Sequence, residues 1–180
     1  KYLLYLGYLS PHKNVEKLIK TWSEIRELWP GLTLVVVGPG NSGFIRHLQR
    51  FAKDLKLGER VKFLPAVYGE GKWALLNGAE ALVLPSRSEN FGFVVGEALY
   101  CGTPVVASRG YPWPCLETEG FGHWVDAEDG FLAEAINDVL SWPADRRQVM
   151  ALHARLFIEN NFSWGTVADR YIALYHDLLR

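Results

Sequence analysis

The chain has 180 residues, 49% of them hydrophobic, which suffices for one full core and is short for two, so one domain is expected over 1–180. Its 19 basic and 20 acidic residues leave a formal net charge of -1, too little to draw nucleic acid or an anionic membrane, so any anion site must be local. The longest apolar runs, such as Leu34 to Val37, fall far short of the roughly 18 residues of a membrane span, and Cys101 and Cys115 lack metal or redox spacing and read as small buried apolar residues.

The first element is a strand, Tyr2 to Leu6, entered without a Met and without a signal-peptide pattern, as a piece cut from a longer protein would begin; a cytoplasmic location is the expectation. The loop Gly7 to Asn14 follows. Val15, Leu18, Ile19, Trp22, Ile25 and Leu28 then recur at helical spacing, with Asn14 as the expected N-cap and Pro30-Gly31 as the stop. Next come a strand at Leu32 to Val37, a loop at Gly38 to Gly43 and a helix over Phe44 to Leu55. A strand at Val61 to Leu64, a loop at Pro65 to Gly69 and a short helix at Lys72 to Asn77 lead to a strand at Ala81 to Leu84. The loop Pro85 to Gly92 enters the helix-like FVVGEALY, and Pro104 to Ala107 is the fifth strand. Gly110 to Gly122, where Gly, Pro and aromatic residues cluster, reads as a long irregular connection that could equally border a site or form a packed surface loop, and after Gly130 the strands stop. Helices over Leu132 to Leu140, Ala144 to Asn160 and Trp164 to Leu179 should pack on the sheet as a closing layer.

Strands that are apolar throughout suit burial on both faces, and their alternation with helices predicts an α/β fold with an open, doubly wound parallel sheet. Ligands of such a sheet sit outside the carboxyl ends of its strands, so the four loops after the first four strands are the places to look.

The loop before FVVGEALY is the most informative. Gly92 stands where strand gives way to helix, and a helix N-terminus offers unpaired amides and partial positive charge to a phosphate. A tight turn alone would equally call for Gly92. Glu89 and Glu97 flank that point; carboxylates repel phosphate but accept hydrogen bonds from sugar hydroxyls, so the two acids could bracket a phosphate site. They could also be a solvated helix residue and a favourable charge at a helix start. Lys13, beside His12, is the preferred cation for a diphosphate, while Arg87 and Arg109 fit surface or salt-bridge roles better. The backbone of Leu64 to Val67, including Pro65 and Ala66, and the Gly38-Pro39-Gly40 turn are candidates for contacting a base.

Taken together, YLGYLSPHKNVEKLI, LTLVVVGPG, RVKFLPAV, PSRSENFGFVVGEALYCGTPVVAS, GYPWPCLETEGFGHWV and FSWGTVADRYIALYHDLL resemble the C-terminal domain of group 1, or family 4, glycosyltransferases. The resemblance covers nearly the whole chain. It implies a Rossmann-like sheet with C-terminal helices, one half of a GT-B fold, whose partner is an N-terminal acceptor-binding domain. It further implies a retaining, metal-independent transfer from a nucleotide-diphosphate sugar, a co-substrate rather than a cofactor, to a carbohydrate or lipid-linked acceptor. The site would lie in the cleft between the domains, so this half alone should bind donor without transferring. Attachment to the inner membrane face would come through the other domain.

Residue by residue, the resemblance makes Glu89 a donor-sugar contact and Glu97 a ribose contact, with Gly7, Gly38, Pro65 and Ala66 in the donor site. Phe91, Gly92, Phe93 and Val94 would present backbone amides to the sugar and diphosphate. Lys13 with Glu89 would form the catalytic pair. The family's first loop usually reads Gly-Arg-Leu, and here it is Gly7-Tyr8-Leu9. Losing one charge-assisted contact is worth about 1.5 to 3 kcal/mol, enough to slow chemistry by about tenfold or more unless His12, Arg87 or another domain compensates. Tyr8 therefore also supports a rival reading, a non-catalytic binding or scaffold subunit. A GT-B phosphorylase or nucleotide-sugar epimerase is a third.

Overall fold

The computed structural model describes residues 1–126 and 130–179. Six strands, β1 (Tyr2–Leu6), β2 (Thr33–Val37), β3 (Val61–Leu64), β4 (Ala81–Leu84), β5 (Val105–Ser108) and β6 (Gly122–Val125), form one sheet in the order β3-β2-β1-β4-β5-β6. Every pairing is parallel, with Leu4 opposite Val35 on one side and Leu82 on the other. Burial on both sides explains the unbroken apolar runs: β4 and β5 are buried at every residue, and so is β1 after Tyr2.

The chain leaves β1 toward β2 but leaves β4 toward β5, in the opposite direction. Right-handed crossovers therefore send the helices of the two halves to opposite faces. Helix α1 (Val15–Ile25) packs on α2 (Ser42–Asp54) and α6 (Phe131–Ser141), whereas α4 (Phe93–Tyr100) packs on α3 (Gly69–Asn77) and α7 (Ala144–Phe162). Helix α1 inserts Leu18, Ile19 and Trp22 into the core, and the Trp22 indole N–H donates to the Arg60 carbonyl at 2.8 Å, satisfying its one donor.

Four expectations need correction. The connection after Gly110 is not irregular throughout: it holds a one-turn helix, α5 (Cys115–Thr118), and leads into β6, an edge strand absent from the sequence reading. Asn14 is the N-cap residue of α1 as expected, but its side chain makes no capping bond; it adopts a left-handed conformation with φ of 57° and closes the 3-10 turn Pro11–Lys13 through its backbone N–H. The terminal helices do not form one layer on the sheet. Helix α6 contacts β4, β5 and β6, α7 packs on α4, and α8 (Trp164–Leu178) rests on α7 with no residue buried. Finally, Cys101 and Cys115 are free thiols only half-buried against the core, and that burial pushes both above the usual thiol range.

Candidate functional site

The strand order reverses direction between β1 and β4, and there the loops at the strands' carboxyl ends part to leave a crevice. Two loops face each other across it, 7–14 after β1 and 85–92 after β4. They are tied together by backbone: the His12 carbonyl accepts the Arg87 N–H at 2.9 Å and the buried Ser86 hydroxyl at 3.3 Å. The Lys13 ammonium then forms an ion pair with the Glu89 carboxylate, with both side chains largely sheltered. Glu89 is held from further sides, because its carboxylate accepts the Asn90 N–H at 3.1 Å and its own N–H donates to the Gly110 carbonyl at 2.9 Å.

The helix that closes the crevice starts at Gly92, whose φ of 79° lies in the left-handed region and whose missing side chain makes room for the Tyr111 ring; a Cβ there would run into it. No side chain caps α4; the Val95 N–H donates to the Gly92 carbonyl at 2.9 Å, which leaves the amides of Phe93 and Val94 without a side-chain cap. Tyr111 is buried beneath this turn beside Tyr5. Burial, reinforced by the nearby Glu89 charge, holds both phenols above their ordinary range, so they stay neutral near pH 7. Two tryptophans fix the surrounding loop: Trp113 donates to the Phe91 carbonyl and Trp124 to the Tyr111 carbonyl, each at 2.6 Å.

The resulting cleft, about 360 Å³, brings Gly7, Lys13, Glu89, Phe91, Gly92, Phe93 and Val94 together, with Tyr5, Tyr8 and Tyr111 among the remaining wall residues. Tyr8 is 52% exposed and stands where a second cation is expected, its carbonyl accepting the Tyr5 hydroxyl at 3.0 Å. His12 and Arg87 are exposed on the tied loops. Arg109 instead follows β5 and packs against β6, its guanidinium 4.8 Å from the Trp124 ring centre and 3.9 Å from Glu117.

Gly38, Pro65, Ala66 and Glu97 are not in the described wall of this cleft. Gly38 is buried against the first loop, since a Cβ on it would collide with the Gly7 carbonyl, and Leu9 donates to the Pro39 carbonyl at 2.7 Å. The Gly38-Pro39-Gly40 turn thus supports the β1 loop. Pro65 is exposed and Ala66 half-buried beyond β3 at the sheet edge. Glu97, one turn into α4, is half-buried and its Oε1 accepts the Lys72 ammonium at 2.6 Å.

Sequence reasoning missed Lys72, Tyr111 and Trp113. Trp113 and Tyr111 sit inside the stretch read as irregular, and their aromatic clustering was the signal available. Lys72 carried none, because a lysine in a short helix looks like a surface residue. Among the described residues no group of three or more His, Cys, Asp or Glu side chains is gathered so as to hold a metal, and no helix is long and apolar enough to cross a membrane.

Comparison with known proteins gives this geometry a family context. The family model described as glycosyl transferases group 1 matches residues 1–157. D-inositol 3-phosphate glycosyltransferase of Mycolicibacterium smegmatis is 33% identical over 181 aligned residues, covering 97% of this chain and 40% of that protein. Among solved structures, sucrose-phosphate synthase of Thermosynechococcus elongatus superposes with a TM-score of 0.85 at 29% identity, over 99% of this chain and 45% of that one. Anabaena Alr3699/HepE, solved with UDP, gives a TM-score of 0.83 at 24% identity over 98% of this chain and 48% of that chain, a likeness of fold. The chain spans about two fifths of the length of the curated relatives it matches.

Proposed function

The chain belongs to the glycosyl transferases group 1 family, and on that premise we propose that its crevice binds a nucleotide-diphosphate sugar whose glycosyl group is transferred, with retention, to an acceptor hydroxyl. The observation that carries this reading is the meeting, at the switch point, of the Lys13–Glu89 pair with the uncapped start of α4 at Gly92. Amides of Phe93 and Val94 take phosphate oxygens there, Glu89 takes sugar hydroxyls, and Glu97 takes the ribose. The presence of UDP and of UDP-glucose in structures of the Anabaena protein is in keeping with a donor of that class.

The chemistry asked of the chain is electrostatic. Charge grows on the departing diphosphate as the glycosidic bond breaks, and preorganised amides at the helix start with the Lys13 ammonium stabilise it. The leaving phosphate accepts the proton of the attacking hydroxyl, so no protein nucleophile and no metal is invoked. Tyr8 offers only one neutral hydroxyl where a fixed cation is expected, which leaves more of the charge to Lys13 and the helix. His12 and Arg87, exposed on the two tied loops, are the candidates within this chain to compensate. If Tyr8→Arg raised donor affinity sharply while His12→Ala and Arg87→Ala left it unchanged, compensation from within this chain would be ruled out.

The acceptor, a carbohydrate or lipid-linked hydroxyl compound, would be held by a second domain, with the transfer carried out in the cytoplasm or at its membrane face. Titration calorimetry with UDP, GDP and ADP tests the donor half of the reading: one of them should bind the 180-residue chain and Glu97→Ala should weaken it by about tenfold, the worth of a charge-assisted contact. Absence of binding at millimolar ligand would overturn it. Tyr8 favours one rival, a scaffold that keeps the donor site without the reaction. Full-length protein that binds donor yet neither transfers nor hydrolyses it would establish that alternative.

A further inference from the structure

We propose that Lys72 is a positioning residue for the Glu97 carboxylate and thereby sets the preference of the site for a ribose with both hydroxyls; this rests on the reading that Glu97 takes the ribose.

The Lys72 ammonium is held from two directions. It donates to Glu97 Oε1 at 2.6 Å and stands 4.7 Å from the centre of the Trp73 ring, a distance at which the ring face attracts a cation. Its side chain is 26% exposed and that of Glu97 27%, so the pair is sheltered from full solvent screening. The helices that carry the two groups are themselves locked together. The buried Thr103 hydroxyl donates to the Leu76 carbonyl at the end of α3, at 2.6 Å, while the Thr103 N–H donates to the Ala98 carbonyl of α4 at 2.9 Å. From the other side the Tyr2 hydroxyl donates to the Leu75 carbonyl at 2.8 Å and fastens α3 to β1. The separation of Lys72 and Glu97 is therefore set by backbone anchors, and not by the ion pair alone.

An ionised carboxylate has about four acceptor directions on its two oxygens. Lys72 occupies one of them on Oε1. Oε2 is left to receive hydroxyls, and its direction is fixed because the carboxylate cannot rotate without giving up the ammonium. An unheld glutamate would have to lose side-chain freedom at the moment of binding. With Lys72 in place that loss has already occurred in the free protein, and the gain falls only on ligands that present hydroxyls to Glu97.

The test compares whichever of UDP, GDP and ADP the wild-type chain binds most tightly with its 2′-deoxy and 3′-deoxy forms, by calorimetry. Wild type should prefer the ribose form by about tenfold, the size of one charge-assisted hydrogen bond. Lys72→Met should reduce that preference to about twofold or less while leaving affinity for the deoxy forms within about twofold, and Lys72→Arg should retain most of it. Thermal midpoints verify folding, and Lys72→Gln replaces the Met variant if the latter fails to fold. A lysine variant that weakens ribose and deoxy forms equally, or that keeps the wild-type preference, overturns the assignment of Lys72. A wild type without preference, or a Glu97→Gln variant that keeps it, overturns the ribose reading of Glu97 itself and the inference with it.

Discussion

Beneath the crevice, Tyr5, Tyr111 and Trp113 are almost wholly buried, and among the described residues no buried side-chain nitrogen or oxygen lacks a hydrogen-bond partner. Along α8, by contrast, no residue is buried, and Trp164, Tyr175 and Leu178 are between 60% and 90% exposed. Both regions are rich in aromatic and aliphatic side chains. In the first they wedge a loop whose backbone must keep its place; in the second they add nothing to the core of this chain. Between them runs an apolar groove of about 650 Å³ that shares Phe91 and Phe93 with the crevice and reaches Trp164 and Tyr171. Apolar content by itself is thus no guide to what a segment contributes to stability.

Substitutions in the two regions should separate accordingly. The largest effect belongs to Trp113→Ala, which removes a buried indole and frees the Phe91 carbonyl; chemical denaturation should show a loss of about 3 to 5 kcal/mol. A loss under about 1 kcal/mol would mean that the loop stands without its wedge. Gly92→Ala comes next. An alanine held in the left-handed region costs about 1 to 3 kcal/mol, and its Cβ displaces Tyr111. Nucleoside diphosphate binding, measured by calorimetry, should fall with it, because the start of α4 moves. The smallest effect is expected on α8: a combined Ile172→Ala and Leu174→Ala variant should change the denaturation midpoint by no more than corresponds to about 0.5 kcal/mol. A larger loss would show that α8 is packed by this chain after all, and the contrast between the regions would dissolve.

The same contrast governs what could be read from sequence. Strands β1, β2, β4 and β5 were legible because burial on both faces forces continuous apolar runs, with ends displaced by a residue at β2 and β5, whereas the edge strand β3 keeps only Val61 buried and carries an exposed Lys62. Strand β6, with the sequence Gly-His-Trp-Val, was not legible. It is a short edge strand, only its first residue is buried, and that residue must be glycine because a Cβ on Gly122 would strike the Val105 carbonyl. Its signal was a backbone constraint rather than hydrophobicity. At Asn14 the N-cap position was legible but its manner was not: asparagine suits both a side-chain cap and a left-handed turn, and only the backbone shows which is used.

At the site, the glycine before a helix-like run, the flanking Glu89 and Glu97, and Lys13 pointed to the loops after β1 and β4, which the fold sets face to face. The pairing of carboxylates with lysines was invisible. Lys13 and Glu89 are 76 positions apart and Lys72 and Glu97 are 25 apart, so neither pair follows from local spacing. Gly38 sits where the β1 and β2 loops approach backbone to backbone, a close approach that no local spacing in the sequence reveals.

A crystal structure of the chain with a bound nucleoside diphosphate bears most directly on the role of the crevice. The phosphates should lie against the amides of Phe93 and Val94 within reach of the Lys13 ammonium, with the ribose toward Glu97. Phosphates held away from the Phe93 and Val94 amides and out of reach of Lys13, with the crevice between the β1 and β4 loops left to solvent, would contradict it, even if the ligand lay in the apolar groove that Glu97 also lines.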